Sequence, residues 1–197
     1  MKQAIIIFVR NAVLGEVKTR LATTVGDKKA LAVYNELLLH TKNILEKVNA
    51  DKYIYYYNAI EQNDLWNANG FLKKLQSNDE LGLKMKTAFD ELFTEGYQKL
   101  IIIGSDCFQL TSTIIKNGFS ALDSNNAVIG PAKDGGYYLL GLKKMIPAIF
   151  KNKTWSTSAV FKETMADFAL LNMRVFLLPA LSDIDTEEDL VAHGYKM

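Results

Sequence analysis

The sequence has few of the features that define specialised protein classes. Its 197 residues include one cysteine, Cys107, so an internal disulfide is excluded and a reducing compartment is indicated. The net charge of +1 gives no general affinity for nucleic acid, and any anion site must be built locally. The apolar run from Ala4 to Val9 is too short for a signal peptide core or a membrane span. We therefore expect a cytoplasmic protein with no nucleic-acid partner and no membrane span.

Common catalytic patterns are also missing. The segment from Gly15 to Arg20 is not a Walker A loop, because the second glycine and the Lys-Ser/Thr spacing are absent. Neither histidine, His40 or His193, is placed as a base for Cys107, so a buried structural thiol is favoured over a nucleophile. No repeat, low-complexity segment or linker interrupts the chain, and we expect one domain over residues 1–197.

One uninterrupted apolar run stands out among the features that are present. Leu100 to Ile103 has the pattern of a central strand buried on both faces, and Gly104 ends the run too early for a helix. Asp106 follows almost at once. In open α/β sheets, ligands bind outside the carboxyl ends of the strands. The sequence therefore predicts that Asp106 lies at a functional edge.

Strand-like runs and helical stripes alternate along most of the chain. The runs typical of strands cover residues 4–9, 53–57, 100–103, 127–129, 137–142 and 175–178. Helical stripes cover residues 30–48, 81–93 and 160–171, and further helices begin at Thr111 and Thr186, with Asp189 in the capping-box position of the last one. This alternation predicts an α/β fold, a mostly parallel mixed sheet with helices on both faces. No helix precedes residues 137–142, so we expect one antiparallel strand there.

The segment after the first predicted strand is basic. Gly15, Lys18 and Arg20 form a pattern that is able to hold a diphosphate, because arginine grips phosphate oxygens bidentately and lysine acts as a point charge. The alternative is a solvated basic turn at a helix start, and spacing alone favours it.

Acidic residues follow two predicted strands. Asp106 suits Mg²⁺ or Mn²⁺ through its oxygens, whereas its alternative role is to cap the helix near Thr111. Asp134 precedes Gly135 and Gly136, whose lack of side chains permits close approach of a ligand or a tight connection between strands. The tyrosines at 137 and 138 are suited to stacking on a sugar or to simple packing.

Two further segments carry candidate site residues. Trp155 suits a wall of an acceptor pocket, but capping of the next helix by Ser156 or Thr157 is the favoured interpretation of that segment. Asp183 and Asp185 alternate along an extended stretch and are able to share a cation. Their alternative is an N-cap cluster, a stronger alternative for Asp185 than for Asp183.

Taken in order, these segments resemble a known family. They are Phe8 to Leu21 with Val17-Lys18-Thr19-Arg20-Leu21, Leu81-Gly82 with Met85, Gly104 to Cys107, Gly130 to Leu139, Trp155-Ser156 and Asp183 to Thr186. The set is similar to a bacterial family of GT-A-type glycosyltransferase-like proteins, once catalogued as a domain of unknown function. The resemblance covers nearly the whole chain. It implies the nucleotide-diphospho-sugar transferase fold and a divalent metal, Mg²⁺ or Mn²⁺.

The sequence departs from the family pattern at four points. The prolines usual before Gly15 are missing, and Phe108 stands where a proline usually follows the Asp-Cys pair. Lys84 replaces the usual arginine before Met85, and no Asp-x-Asp surrounds Asp106. We expect two loosened loops and altered nucleotide contacts.

The resemblance and the residue patterns together suggest a set of roles. The expected groups are catalytic (Asp106, Asp134), phosphate-binding (Gly15, Lys18, Arg20, Ser105), substrate-binding (Gly135, Gly136, Tyr137, Trp155) and metal-binding (Asp106, Asp183, Asp185). The leading hypothesis is metal-dependent transfer of a sugar from a nucleotide-diphosphate donor to an acceptor that the sequence does not identify. The alternatives are nucleotidyl transfer to a phosphorylated small molecule and nucleotide binding without catalysis. The sequence leaves the oligomeric state open.

Overall fold

A computed structural model of the chain describes residues 2–67 and 70–194. Within them the strands are β1 (Gln3–Val9), β2 (Asp51–Tyr56), β3 (Phe71–Leu75), β4 (Lys99–Ile103), β5 (Ala127–Pro131), β6 (Tyr137–Leu142) and β7 (Val175–Leu177). The α-helices are α1 (Thr19–Val25), α2 (Asp27–Leu45), α3 (Leu81–Thr94), α4 (Ser112–Ala121), α5 (Val160–Leu170) and α6 (Glu187–Ala192). Short 3₁₀ turns cover Leu65–Asn67 and Pro147–Phe150.

The seven strands of these residues form one sheet in the order β3-β2-β1-β4-β6-β5-β7. Strand β1 pairs in parallel with β2 and β4, β2 with β3, and β5 with β7. Strand β6 runs antiparallel to both β4 and β5. The predicted mostly parallel mixed sheet is therefore confirmed, including the antiparallel strand at residues 137–142.

The apolar run singled out in the sequence lies inside the sheet. All five residues of β4 are buried, because helices cover both faces. Ile101 and Ile103 face a cluster that includes residues of α2 and α4, whereas Leu100 and Ile102 face a cluster with residues of α3 and α5. Burial of each such side chain stabilises the fold by about 1.5–3 kcal/mol. The central strands thus form a rigid base for the loops that follow them.

Strand β3 is not among the strands predicted from the sequence. Its five residues include Lys73 and Lys74, so the apolar pattern is weak. Both lysines are paired, Lys73 with Asp64 at 2.8 Å and Lys74 with Glu95 at 2.7 Å. Charged side chains on an edge strand oppose pairing with other chains, which accounts for a sequence that does not look like a strand.

The predicted helix caps have mixed outcomes. Thr186 caps α6 and forms a capping box with Asp189, as expected. Thr111 caps α4 through its hydroxyl, so the alternative interpretation, in which Asp106 caps this helix, is wrong. The favoured cap at Ser156 or Thr157 is also wrong: α5 begins after Ala159 without a side-chain cap.

Across residues 2–67 and 70–194, no helix combines the length and the apolar character that crossing a bilayer requires.

Candidate active site

A cleft with two adjoining lobes opens at the carboxyl edge of β1 and β4. The first lobe has a volume of about 510 Å³ and the second about 470 Å³. Residues common to both lobes are Phe8, Arg20, Leu81, Gly104, Asp106, Ser156 and Asp185. Segments far apart in the chain therefore share one cavity at the sheet edge where α/β proteins bind ligands.

Lys18 is a buried lysine in the first lobe of this cleft. Its side chain is 6% exposed, and its Nζ donates hydrogen bonds to Asp106 Oδ2 at 3.0 Å and Asp185 Oδ1 at 2.9 Å. Its backbone is left-handed, with φ of 48°, which is strained for a residue with a side chain. Burial favours the neutral amine, but the two carboxylates outweigh it and raise the pKa of Lys18 above its ordinary value. The solvated-turn alternative is therefore wrong for Lys18.

Arg20 lies on the wall shared by the two lobes. Its side chain is 72% exposed, and Nη1 lies 3.4 Å from Asp185 Oδ2. Asp185 thus has both oxygens engaged by cations, one by Lys18 and the other by Arg20. The N-cap alternative for Asp185 is wrong, because Thr186 is the cap of α6.

Asp183 differs from Asp185 in its surroundings. Its Oδ1 is buried and has no hydrogen-bond partner in the part of the chain that the structure describes. Burial, followed by the charges of Asp106 and Asp134, raises the pKa of Asp183 to about 7. Asp183 is therefore a buried carboxyl group whose ionisation is opposed first by burial and then by two neighbouring carboxylates.

Asp134 is held by the tight turn that the sequence indicated. It is exposed in the second lobe, and its Oδ1 accepts a hydrogen bond of 2.8 Å from the Gly136 amide. Gly135 has a φ of +93°, and a Cβ there would lie 2.2 Å from the Ser158 carbonyl oxygen. The Gly135 carbonyl in turn accepts from the Phe161 amide at 2.9 Å. The turn is thereby fixed against the start of α5.

The second lobe has an aromatic wall. Trp155 lies against the backbone of Gly82, where a Cβ would come within 2.2 Å of the indole ring. Tyr137 also lines this lobe, and its hydroxyl is buried beside the side chain of Thr164. Small size at Gly82 is therefore a condition for the position of Trp155.

The remaining predicted residues have distinct positions. Ser105 is buried beside the first lobe, and its carbonyl accepts from the Thr41 hydroxyl at 3.5 Å. Gly15 and Gly135 are outside the residues that line either lobe, so they act through the turns they permit. Cys107 has a pKa raised to about 12 by burial and by the Asp183 charge, which agrees with the expected structural thiol.

Arg10 and Tyr57 of the first lobe received no site role from the sequence, and Lys84 was named only as a departure from the family pattern. Arg10 and Lys84 flank the ring of Tyr57, at 4.9 Å and 4.2 Å from its centroid. Arg10 directly follows β1, and Tyr57 directly follows β2. The carboxyl-edge argument used for Asp106 therefore also points to both of them.

The carboxylates do not form a complete metal cage by themselves. In residues 2–67 and 70–194, no group of three or more His, Cys, Asp or Glu side chains is arranged to hold a metal ion. Asp183 Oδ1 has no hydrogen-bond partner in this part of the chain, and the hydrogen bond between Asp106 and Lys18 uses only Oδ2 of Asp106. Asp106 and Asp183 are thus better placed to accept a cation than Asp185.

Three solved structures with this architecture illustrate what the chain is similar to. A protein from Desulfovibrio desulfuricans G20, provisionally assigned as a nucleotide-diphospho-sugar transferase, is 31% identical, with a TM-score of 0.89 over 96% of this chain and 85% of that one. The inositol-1-phosphate CTP transferase of T. maritima is 16% identical, with a TM-score of 0.63 over 98% and 94%. Rv0371c from Mycobacterium tuberculosis H37Rv, in complex with manganese, is 10% identical, with a TM-score of 0.56 over 98% and 97%. The fold is that of nucleotide-diphospho-sugar transferases.

The family is shown by the sequence itself. A model of the family described as "Uncharacterized protein conserved in bacteria (DUF2064)" matches residues 40–157, and the chain belongs to that family. A search of curated proteins finds no match.

Proposed function

We propose that this protein is a divalent-metal-dependent transferase that moves a sugar from a nucleotide-diphosphate donor to an acceptor. The supporting observation is that Lys18 and Arg20 converge with Asp106 and Asp183 on one cleft at the carboxyl edge of the sheet. Cations next to carboxylates suit a diphosphate that is bound together with a divalent metal.

The first lobe is suited to the donor phosphates. It is lined by the cationic side chains of Arg10, Lys18, Arg20 and Lys84. As the bond to the sugar breaks, negative charge grows on the departing nucleotide diphosphate. Cations fixed beside it therefore stabilise the transition state more than the ground state.

Asp106 and Asp183 fit a hard divalent cation. Asp183 Oδ1 has no partner in the described chain, and Asp106 bonds to Lys18 through Oδ2 alone. Burial first, and then the charges of Asp106 and Asp134, raise the pKa of Asp183. A divalent metal held there would supply further stabilisation of the departing diphosphate. The manganese complex of a protein with this fold supports the choice of metal.

Asp134 is suited to a contact with a hydroxyl group in the second lobe. The Gly136 amide holds its Oδ1 at 2.8 Å, which orients the carboxylate. A carboxylate so placed accepts a hydrogen bond from a sugar hydroxyl, or the proton of an acceptor hydroxyl during transfer.

Calorimetric titration of ADP, GDP, UDP and CDP, each with and without Mn²⁺, tests the proposal. We expect at least one diphosphate to bind about tenfold or more tightly with the metal, and Asp106→Asn to remove that gain. The matched control is Asp123→Asn, since Asp123 also accepts from a buried lysine, Lys99, at 2.6 Å. Unchanged metal-dependent affinity in Asp106→Asn would contradict the assignment.

Nucleotidyl transfer is the second candidate, and the number of cations favours it. Four cationic side chains line the first lobe, which is generous for a diphosphate and suits a triphosphate. The two reactions leave different products. Release of pyrophosphate from a nucleoside triphosphate identifies nucleotidyl transfer, whereas release of a nucleoside diphosphate from a nucleotide sugar identifies sugar transfer.

A further inference from the structure

The two lobes of the cleft differ in charge. Arg10, Lys18 and Lys84 line the first lobe but not the second. Of the described residues that line the second lobe, Arg20 is the one cation, and it is paired with Asp185. Four carboxylates line the same lobe, Asp106, Asp134, Asp183 and Asp185, and Lys18 pairs with Asp106 and Asp185 from the first lobe. The second lobe is therefore an acidic compartment beside a basic one.

Apolar side chains also contribute to the lining of the second lobe. Met85, Ile102 and Val160 contribute aliphatic surface, and Trp155 adds an aromatic face. Such a lining favours the burial of an apolar part of a ligand. Its volume of about 470 Å³ accommodates a small molecule.

Asp134 is an exposed hydrogen-bonding group in this lobe. Its Oδ1 accepts from the Gly136 amide at 2.8 Å, which orients the carboxylate. A hydroxyl or amino group of a ligand is able to donate to such a carboxylate.

We infer that the second lobe accepts an uncharged or cationic molecule with a hydroxyl or amino group on an apolar body, and that it excludes phosphorylated acceptors. A phosphate dianion there would meet Asp134 and Asp183, which have no ion-pair partner among the described residues. Asp106 and Asp185 share Lys18, and Arg20 is already paired with Asp185. An ammonium or neutral hydroxyl group faces no such repulsion. Identification of this molecule as the acceptor rests on the proposed function, whereas the selectivity of the lobe does not.

Trp155 allows the second lobe to be observed separately from the first. The chain has two tryptophans, and the other, Trp66, is 2% exposed. Trp155 lines only the second of the two lobes. The indole N–H resonance of Trp155, assigned with Trp155→Phe, therefore reports occupancy of that lobe by NMR.

The test uses benzyl alcohol, benzylamine and benzyl phosphate on the full chain without nucleotide or metal, so that it is independent of donor binding. We expect the alcohol and the amine to shift the Trp155 indole resonance at concentrations at least about tenfold below those needed for the phosphate. Equal or tighter binding of benzyl phosphate at Trp155, or no shift with any of the three, would overturn the inference.

Charge removal identifies the cause of the selectivity. Asp134→Asn combined with Asp183→Asn should tighten benzyl phosphate at Trp155 about tenfold. The exposed single change Asp134→Asn should give a smaller gain in the same direction if the double variant does not fold. Glu16→Gln is the control, because Glu16 lines the first lobe only. Phosphate affinity unchanged in Asp134→Asn, or raised equally in Glu16→Gln, would count against the acidic compartment.

Discussion

Two buried lysines at opposite edges of the sheet make different use of the same charge. At the amino edge, Lys99 is 8% exposed, extends from β4, and donates to the Phe119 carbonyl and to Asp123. At the carboxyl edge, Lys18 is 6% exposed, has a left-handed backbone, and pairs with Asp106 and Asp185. Asp123 balances the positive charge of Lys99. Lys18, in contrast, is one cation between two carboxylates, Asp106 and Asp185. Strain and unbalanced charge of this kind are typical of functional sites.

The largest effects are expected when each lysine is replaced, and the two replacements should differ in their effect on nucleotide affinity. Lys18→Met leaves Asp106 and Asp185 without their buried cation, so we expect a loss of about 2–3 kcal/mol in stability and about 100-fold in nucleotide affinity. Lys99→Met should cost similar stability but leave nucleotide affinity unchanged. Urea denaturation and calorimetry measure the two quantities. Equal affinity losses in both variants would remove the distinction between the edges.

The turn that carries Asp134 should be nearly as sensitive. Gly135→Ala places a Cβ 2.2 Å from the Ser158 carbonyl oxygen at a φ of +93°, so we expect a loss of about 2 kcal/mol. Gly96 has a φ of +87° with no atom within 4 Å of its Cβ position, which makes Gly96→Ala the control for backbone strain alone. Thermal unfolding compares the two, and an equal loss would show that contact with Ser158 is unimportant.

Asp183, at the carboxyl edge of the sheet, should make the free energy of unfolding depend on pH. Its folded pKa of about 7 lies above the ordinary value of 3.8, so its neutral form stabilises the fold fully below about pH 4. That contribution is lost as the pH rises through about 7. Asp183→Asn keeps a neutral side chain, and we expect it to be about 1 kcal/mol more stable than the wild type near pH 8, in EDTA. The difference should vanish near pH 4. Asp123→Asn should give no such gain, and a constant difference across pH would disprove the account.

The smallest effect is expected at the wall of the second lobe. Gly82→Ala directs a methyl group at the Trp155 indole, which is partly exposed and able to move. We expect less than about 1 kcal/mol in stability but a roughly fivefold loss in benzyl alcohol affinity. Leu83→Ala, at an exposed neighbouring position, is the control. Unchanged affinity in Gly82→Ala would show that the indole position does not shape the lobe.

Local chemistry made much of the fold predictable. Leu100 to Ile103 could be recognised as a buried strand because four apolar residues adjoin, and Thr186 with Asp189 formed a readable capping box. The same local reasoning failed for β3, whose lysines are explained by partners on other elements. It also failed at Ser156 and Thr157, where α5 begins without a side-chain cap.

The candidate site was predictable in composition but not in its pairings. The order of strands placed Asp106 and the basic segment at one edge, because parallel strands end together. That Lys18 would be buried between Asp106 and Asp185 depends on contacts 88 and 167 residues apart, for which the sequence has no local signal. The difference between Asp183 and Asp185 likewise depends on burial in the folded chain.

Crystals grown with Mn²⁺ and the diphosphate selected by calorimetry provide the most direct test. Anomalous diffraction should locate manganese against Asp106 and Asp183, with the phosphates in the lobe that Lys18 and Arg20 line. Manganese elsewhere on the molecule, or a diphosphate bound outside that cleft, would contradict the account.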